Sequence, residues 1–212
     1  MNTFDPNSSV PPGTDPWDQR YAADSYFYGT EPNDYLRQQV AAIPAGGSVL
    51  CLGEGEGRNA VYLAMHGYRV VALDRSAVGL AKTRRLAASK GVMIDTVTAD
   101  LQSYQMDPAL WDGVVSIWCH LPSSPRAAVH RQVVGALKPK GVFLLEAYTP
   151  DQISHGTGGP KDRDMLPTLA DLRRELDGLD FVHAVECERV VREGSGHTGM
   201  SAVVQIVAKR GD

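Results

Sequence analysis

The stretch Val49-Leu50-Cys51-Leu52-Gly53-Glu54-Gly55-Glu56-Gly57-Arg58-Asn59 passes from a short apolar run through alternating glycines into a helical pattern. Glycine lacks a Cβ and adopts backbone angles closed to other residues, so Gly53, Gly55 and Gly57 commit the chain to a tight turn against which a ligand can lie. The expected unit is strand, turn, helix. The helix opening near Asn59 points its free N–H groups back at the turn, an arrangement suited to a carboxylate or phosphate. A second apolar run, Val70-Val71-Ala72-Leu73, closes on Asp74. That is about 20 residues beyond the first glycine, where a β-α-β nucleotide site places the acceptor for its ribose hydroxyls.

Two carboxylates inside the loop, Glu54 and Glu56, narrow the ligand. They would repel a pyrophosphate, whereas an ammonium or sulfonium centre tolerates them. This favours S-adenosylmethionine over a dinucleotide. A nicotinamide site also wants a third glycine at position 58, where Arg58 stands.

Strand and helix patterns then alternate along the chain. Residues 1–16 carry several prolines and small polar side chains and are expected to form a flexible tail, leaving residues 17–212 as one domain. Trp17, Tyr21, Tyr26, Phe27 and Tyr28 follow, either a cap on the core edge or a lid over a cofactor. Asn33 caps a helix over 34–43, and Ser76 one over 77–90. A third strand over 93–97 delivers Asp100 and Leu101. They could accept from an adenine amino group and cover its ring, although Asp100 also reads as a plain turn residue. The strand over 111–117 empties into Trp118-Cys119-His120-Leu121-Pro122, and ligands in open parallel sheets sit at such strand ends. After a helix over 125–137, a turn at Lys138-Pro139-Lys140-Gly141 precedes a fifth strand over 142–147, with Glu146 and Tyr148 at its exit. A long polar loop over 151–167 contains His155, Lys161 and Arg163 and reads as a substrate-side flap or an unstructured connection. A helix after Thr168 leads to two alternating strands over 181–191 and 200–208, an antiparallel hairpin. The expected architecture is α/β: a doubly wound, mostly parallel sheet with an antiparallel C-terminal hairpin.

Composition limits the partners. A net charge of −4 gives no basic footprint for nucleic acid or an anionic membrane, and no apolar run approaches a membrane span or a signal sequence. A small-molecule substrate and a cytoplasmic location are expected, with the chain a monomer or weak homodimer. Cys51, Cys119 and Cys187 lack metal-ligand spacing, so neither a metal site nor a disulfide framework is expected.

With these motifs in register, residues 17–209 resemble the class I S-adenosylmethionine-dependent methyltransferases, whose seven-stranded Rossmann-like sheet ends in such a hairpin. The motifs Trp17-x-x-Arg20-Tyr21, Tyr28-Gly29-x-x-Pro32-Asn33 and Gly55-x-Gly57-Arg58-Asn59 are similar to the tellurite-resistance and thiopurine-type branch of small-molecule methyltransferases. Cys51 and Glu54 depart from the usual acid and cysteine. The resemblance implies S-adenosyl-L-methionine as cofactor and S-adenosyl-L-homocysteine as product, with a thiol, metalloid oxyanion or similar small acceptor. The expected cofactor residues are Trp17, Tyr28, Gly53, Glu54, Gly55, Gly57, Asn59, Asp74, Arg75, Asp100, Leu101 and Cys119. The expected acceptor pocket joins His120 and Tyr148, which could also act chemically, with His155, Lys161 and Arg163. A binding domain without turnover and a nicotinamide oxidoreductase are the rival readings.

Overall fold

The computed structural model describes residues 15–212, so most of the expected tail lies outside the described residues. Asp15 and Pro16, also assigned to that tail, instead start helix α1 (Pro16–Tyr21). Asp15 is buried, and its side chain accepts from the Trp17 N–H at 2.8 Å.

Strand geometry puts alternate side chains of each central strand on opposite faces, and because the runs are continuously apolar each face needs a cover. Val49 and Cys51 of β1 (Ser48–Leu52) join a core with α2 (Asp34–Gln39), α3 (Arg58–Met65) and α4 (Ala77–Ser89). Leu50 and Leu52 face the other way, into a core with α5 (Ser123–Ala136) and α7 (Leu169–Glu175), the short α6 (Gln152–His155) lying between these two in sequence. With β2 (Arg69–Asp74), β3 (Asp95–Thr98), β4 (Trp111–Ile117), β5 (Leu137–Tyr148), β6 (Leu179–Glu193) and β7 (His197–Arg210), the seven-stranded order is β3-β2-β1-β4-β5-β7-β6. The first five strands pair in parallel; β7 runs antiparallel between β5 and β6. The direction of winding reverses between β1 and β4, whose carboxyl ends carry Gly53 and Trp118.

Three local expectations change. The expected turn at Lys138–Gly141 lies inside β5: α5 passes directly into the strand, and the extra residues form an irregularity between the pairs Leu137–Trp111 and Val142–Gly113. The third strand starts later than expected, at Asp95, and leaves Met93 exposed. The helix over 34–43 relaxes after Gln39 into a single 3-10 turn, Val40–Ala42.

Candidate functional site

The glycine loop is closed by its neighbours as much as by itself. Gly57 has φ +93°, and a Cβ there would lie 2.7 Å from the Thr83 Cα; one at Gly55 would lie 2.6 Å from the Tyr21 hydroxyl oxygen. These two glycines let Thr83 of α4 and Tyr21 of α1 approach the loop closely; the glycines themselves do not line the cavity, whereas Tyr21 does. Gly53 does line it, opposite Cys119.

Both loop carboxylates are turned to structural partners. Glu54 Oε1 accepts from the Asn59 and Ala60 N–H groups at 3.0 and 2.8 Å, filling the anion seat at the start of α3. Burial pushes its pKa up to about 7, against the pull of those two bonds. The free helix terminus expected for a ligand is thus taken by the chain's own side chain. Glu56 Oε2 accepts from the Phe27 N–H at 2.8 Å and the Phe27–Tyr28 turn is held further by the Glu56–Lys82 ion pair, because Lys82 also donates to Ala23 O and Ser25 O. Glu56 therefore fastens the aromatic segment to the glycine loop.

Asp74 ends β2 with Oδ2 accepting from the Gly55 N–H and Oδ1 from the Ser76 N–H, both at 2.8 Å. Burial raises its pKa to about 6. A carboxylate has about four acceptor directions, so two bonds leave room for a ligand's hydroxyl pair. Asp100 accepts from the Gln102 N–H at 2.9 Å and lies 4.0 Å from Arg75, which also pairs with Asp15. Ten expected cofactor residues line one cavity of about 660 Å³: Trp17, Tyr28, Gly53, Glu54, Asn59, Asp74, Arg75, Asp100, Leu101 and Cys119.

The acceptor side differs more. His120 lines the cavity, but both ring nitrogens are engaged: Nδ1 with the Trp118 carbonyl at 3.0 Å, and Nε2 accepting from the Tyr148 N–H at 3.0 Å. Burial lowers its pKa to about 3, so it is a neutral strut between two strand ends rather than an available base. Tyr148 is fully buried and does not line the cavity; its ring stacks on Trp118 at 4.3 Å and lies beneath Gly159. His155 pairs with Glu188 at 3.1 Å and Lys161 is exposed, both away from the cavity. Arg163 lines a separate depression beside α5 and α7. Gly158, Gly159 and Pro160 of the same loop do reach the site.

Sequence reasoning missed the group behind the cavity. Glu193, at the end of β6, accepts from Arg58 at 2.5 Å, from the Trp118 indole N–H at 2.5 Å and from Asn33 at 2.7 Å. Asn33 also donates to Glu146 at 2.6 Å, and Glu146 accepts from Arg189 and Gln205. The Asn33 N–H donates to Asn59 at 2.9 Å. Despite burial, His197 first, then Arg58 and the Trp118 indole, hold the Glu193 pKa down at about 2. Trp118, Arg20, Met165 and His197 also face the cavity. Arg20 donates to the Tyr28 hydroxyl at 3.0 Å, with its guanidinium over Trp17 and Phe27. The signal for Glu193 and His197 was weak, because in a hairpin strand a buried acid and a buried histidine look like ordinary alternation. Among the described residues no cluster could hold a metal ion, and no helix is long and apolar enough to cross a membrane.

Residues 49–141 match a family model described as a methyltransferase domain. No curated protein matches the chain. A solved structure described by the conversion of a disulfide bond into a thioacetal group during echinomycin biosynthesis aligns with TM-score 0.70 and 19% identity over 85% of this chain and 83% of that one. TehB from Haemophilus influenzae aligns with TM-score 0.68 and 18% identity over 92% of this chain, which spans 65% of TehB. An S-adenosylmethionine-dependent methyltransferase from Mesorhizobium loti aligns with TM-score 0.63 and 20% identity over 82% and 96% of the two chains. The chain therefore has the Rossmann-like fold of S-adenosylmethionine-dependent methyltransferases, and the methyltransferase-domain match spans its glycine loop, its strand-end acids and its first four strands.

Proposed function

We propose that the chain is an S-adenosyl-L-methionine-dependent methyltransferase acting on a small-molecule acceptor, a thiol, a metalloid oxyanion or a similar group. One observation carries this reading. The seat for a pyrophosphate at the start of α3 is filled by Glu54, while Asp74, Asp100 and Leu101 open on the same cavity. The cavity can take a ribose and a purine, but a dinucleotide phosphate would meet the Glu54 side chain already holding the Asn59 and Ala60 N–H groups.

The residues fit such a cofactor. Asp74 offers its unused lone pairs to ribose hydroxyls, Asp100 and Leu101 border the place for a purine, and Trp17 with Tyr28 covers the opening. The cofactor supplies a methyl group already activated on a sulfonium centre. What remains for the protein is to align an acceptor and keep water away. Trp118, Tyr28 and His197 form an aromatic wall suited to that task, with ring centroids 4.7 Å apart between Tyr28 and His197 and 5.1 Å between Trp118 and His197. The narrower kinship, with the tellurite-resistance and thiopurine-type branch, rests on its three motifs, two of which meet where the Asn33 N–H donates to Asn59.

Incubating the protein with isotopically labelled S-adenosylmethionine and a small-molecule extract tests the reading. Label should appear in a low-mass product together with S-adenosylhomocysteine. A protein that binds the cofactor and yields no labelled product from any extract would be a binding domain without turnover.

A further inference from the structure

His197 opens β7 at the tip of the hairpin and lines the cavity. Its ring is walled by Tyr28, Trp118 and Tyr148, with centroids 4.7, 5.1 and 5.4 Å away. Nδ1 is buried without a hydrogen bond and faces Glu193 Oε2 at 3.7 Å. Nε2 has no hydrogen-bond partner among the described residues and is not among the buried unpartnered atoms. The contrast with His120, whose two nitrogens are both engaged, is direct.

We propose that His197 is the proton acceptor of the site and Glu193 its positioning residue, an assignment that rests on the methyltransferase reading above. Glu193 is ionised across the ordinary pH range, so the proton of a neutral His197 belongs on Nδ1, toward that carboxylate, and Nε2 keeps the lone pair. Burial pulls the His197 pKa below its usual value, with Glu193 opposing, so the ring is neutral and ready to accept at neutral pH. The other groups facing it are Arg58 behind Glu193, Arg20 on the lid, His120 at the β4 exit, and the Tyr28 and Tyr148 phenols. Arg58 and Arg20 both oppose protonation.

The chemistry balances with an acceptor that carries a proton on its reacting atom. The acceptor's lone pair forms the new bond to the methyl carbon as the carbon–sulfur bond breaks, its electron pair remaining on sulfur. The acceptor's proton passes to Nε2, and the imidazolium is held by the Glu193 carboxylate. This narrows the substrate to a neutral S–H, O–H or N–H compound, because an acceptor that arrives already deprotonated has no proton for His197 to take.

Nitrogen-15 NMR of the full chain with labelled histidine tests the assignment. At pH 7.5 the His197 resonances should show Nδ1 protonated and Nε2 unprotonated, with titration below pH 6.5. Glu193→Gln should erase the tautomer preference; should that variant fail to fold, the wild-type spectrum still decides. A wild-type His197 carrying its proton on Nε2, or charged at pH 7.5, would overturn the proposal. Calorimetry with S-adenosylhomocysteine on the same sample separates the two failures. Binding together with the wrong tautomer sinks only the His197 assignment, whereas absence of binding removes the methyltransferase reading beneath it.

Discussion

In the proposed cofactor site the acid at the end of β2, Asp74, faces the cavity. Its pKa is raised to about 6 by burial, and in the proposed site ribose hydroxyls would donate more strongly to its ionised form than to its neutral one. Affinity for S-adenosylhomocysteine should therefore rise between about pH 5 and pH 7 and level off above, and Asp74→Asn should flatten that dependence. Asp74→Ala should weaken binding by about 2 to 3 kcal/mol, the loss of charge-assisted hydrogen bonds. Isothermal calorimetry across pH reads both, and an affinity independent of pH in the wild type would remove Asp74 from the site. Glu193 shows the opposite sign. Its folded pKa lies near 2, below the ordinary 4.5, so it contributes stability that is fully present above pH 4.5 and is lost as pH falls toward 2. The contribution is roughly 3 kcal/mol at neutral pH. Urea midpoints measured from pH 6 to pH 2 should fall more steeply in the wild type than in Glu193→Gln, and parallel curves would contradict the assignment.

At the scale of elements, the hairpin tip and the aromatic segment hold one another. The Ser195 N–H donates to Phe27 O at 2.9 Å, and a Cβ at Gly196 would fall 2.4 Å from the Tyr28 ring. Gly196→Val should push Tyr28 off the cavity. The expected result is faster proteolysis between Trp17 and Gly29 and at least tenfold weaker cofactor binding, with far-ultraviolet circular dichroism unchanged; unaltered binding would show that the tip does not hold the lid. Here the sequence was least informative. Strands β1, β2 and β4 were legible because continuous apolar runs broken by glycine or acid have few other solutions. The partner of the aromatic segment was not, because it lies about 170 residues away on a turn whose residues carry no local signal for it. His155, Lys161 and Arg163 were placed in the pocket because a long polar loop with cations resembles an anion clamp. In the fold, that loop contributes its backbone-rich Gly158–Pro160 portion and turns its charges outward.

For the whole molecule, sheet order decides where chemistry can occur. The reversal between β1 and β4 leaves a cavity that both the glycine loop and the β4 exit line, and the appended hairpin brings His197 to it, with Glu193 behind. The glycine loop and strand-end acids were readable because their spacing is local. Glu54 was read as a neighbour of the ligand; it lines the cavity, and its side chain also caps α3, occupying the place a dinucleotide phosphate would take in the proposed reading. Two cofactor classes share this fold, and the proposed function turns on which of them binds. Calorimetric titration of the wild-type chain with S-adenosylmethionine, S-adenosylhomocysteine and a nicotinamide dinucleotide tests it directly: the two adenosyl compounds should give saturable heat at one site per chain and the dinucleotide none, whereas heat from the dinucleotide alone would contradict the account.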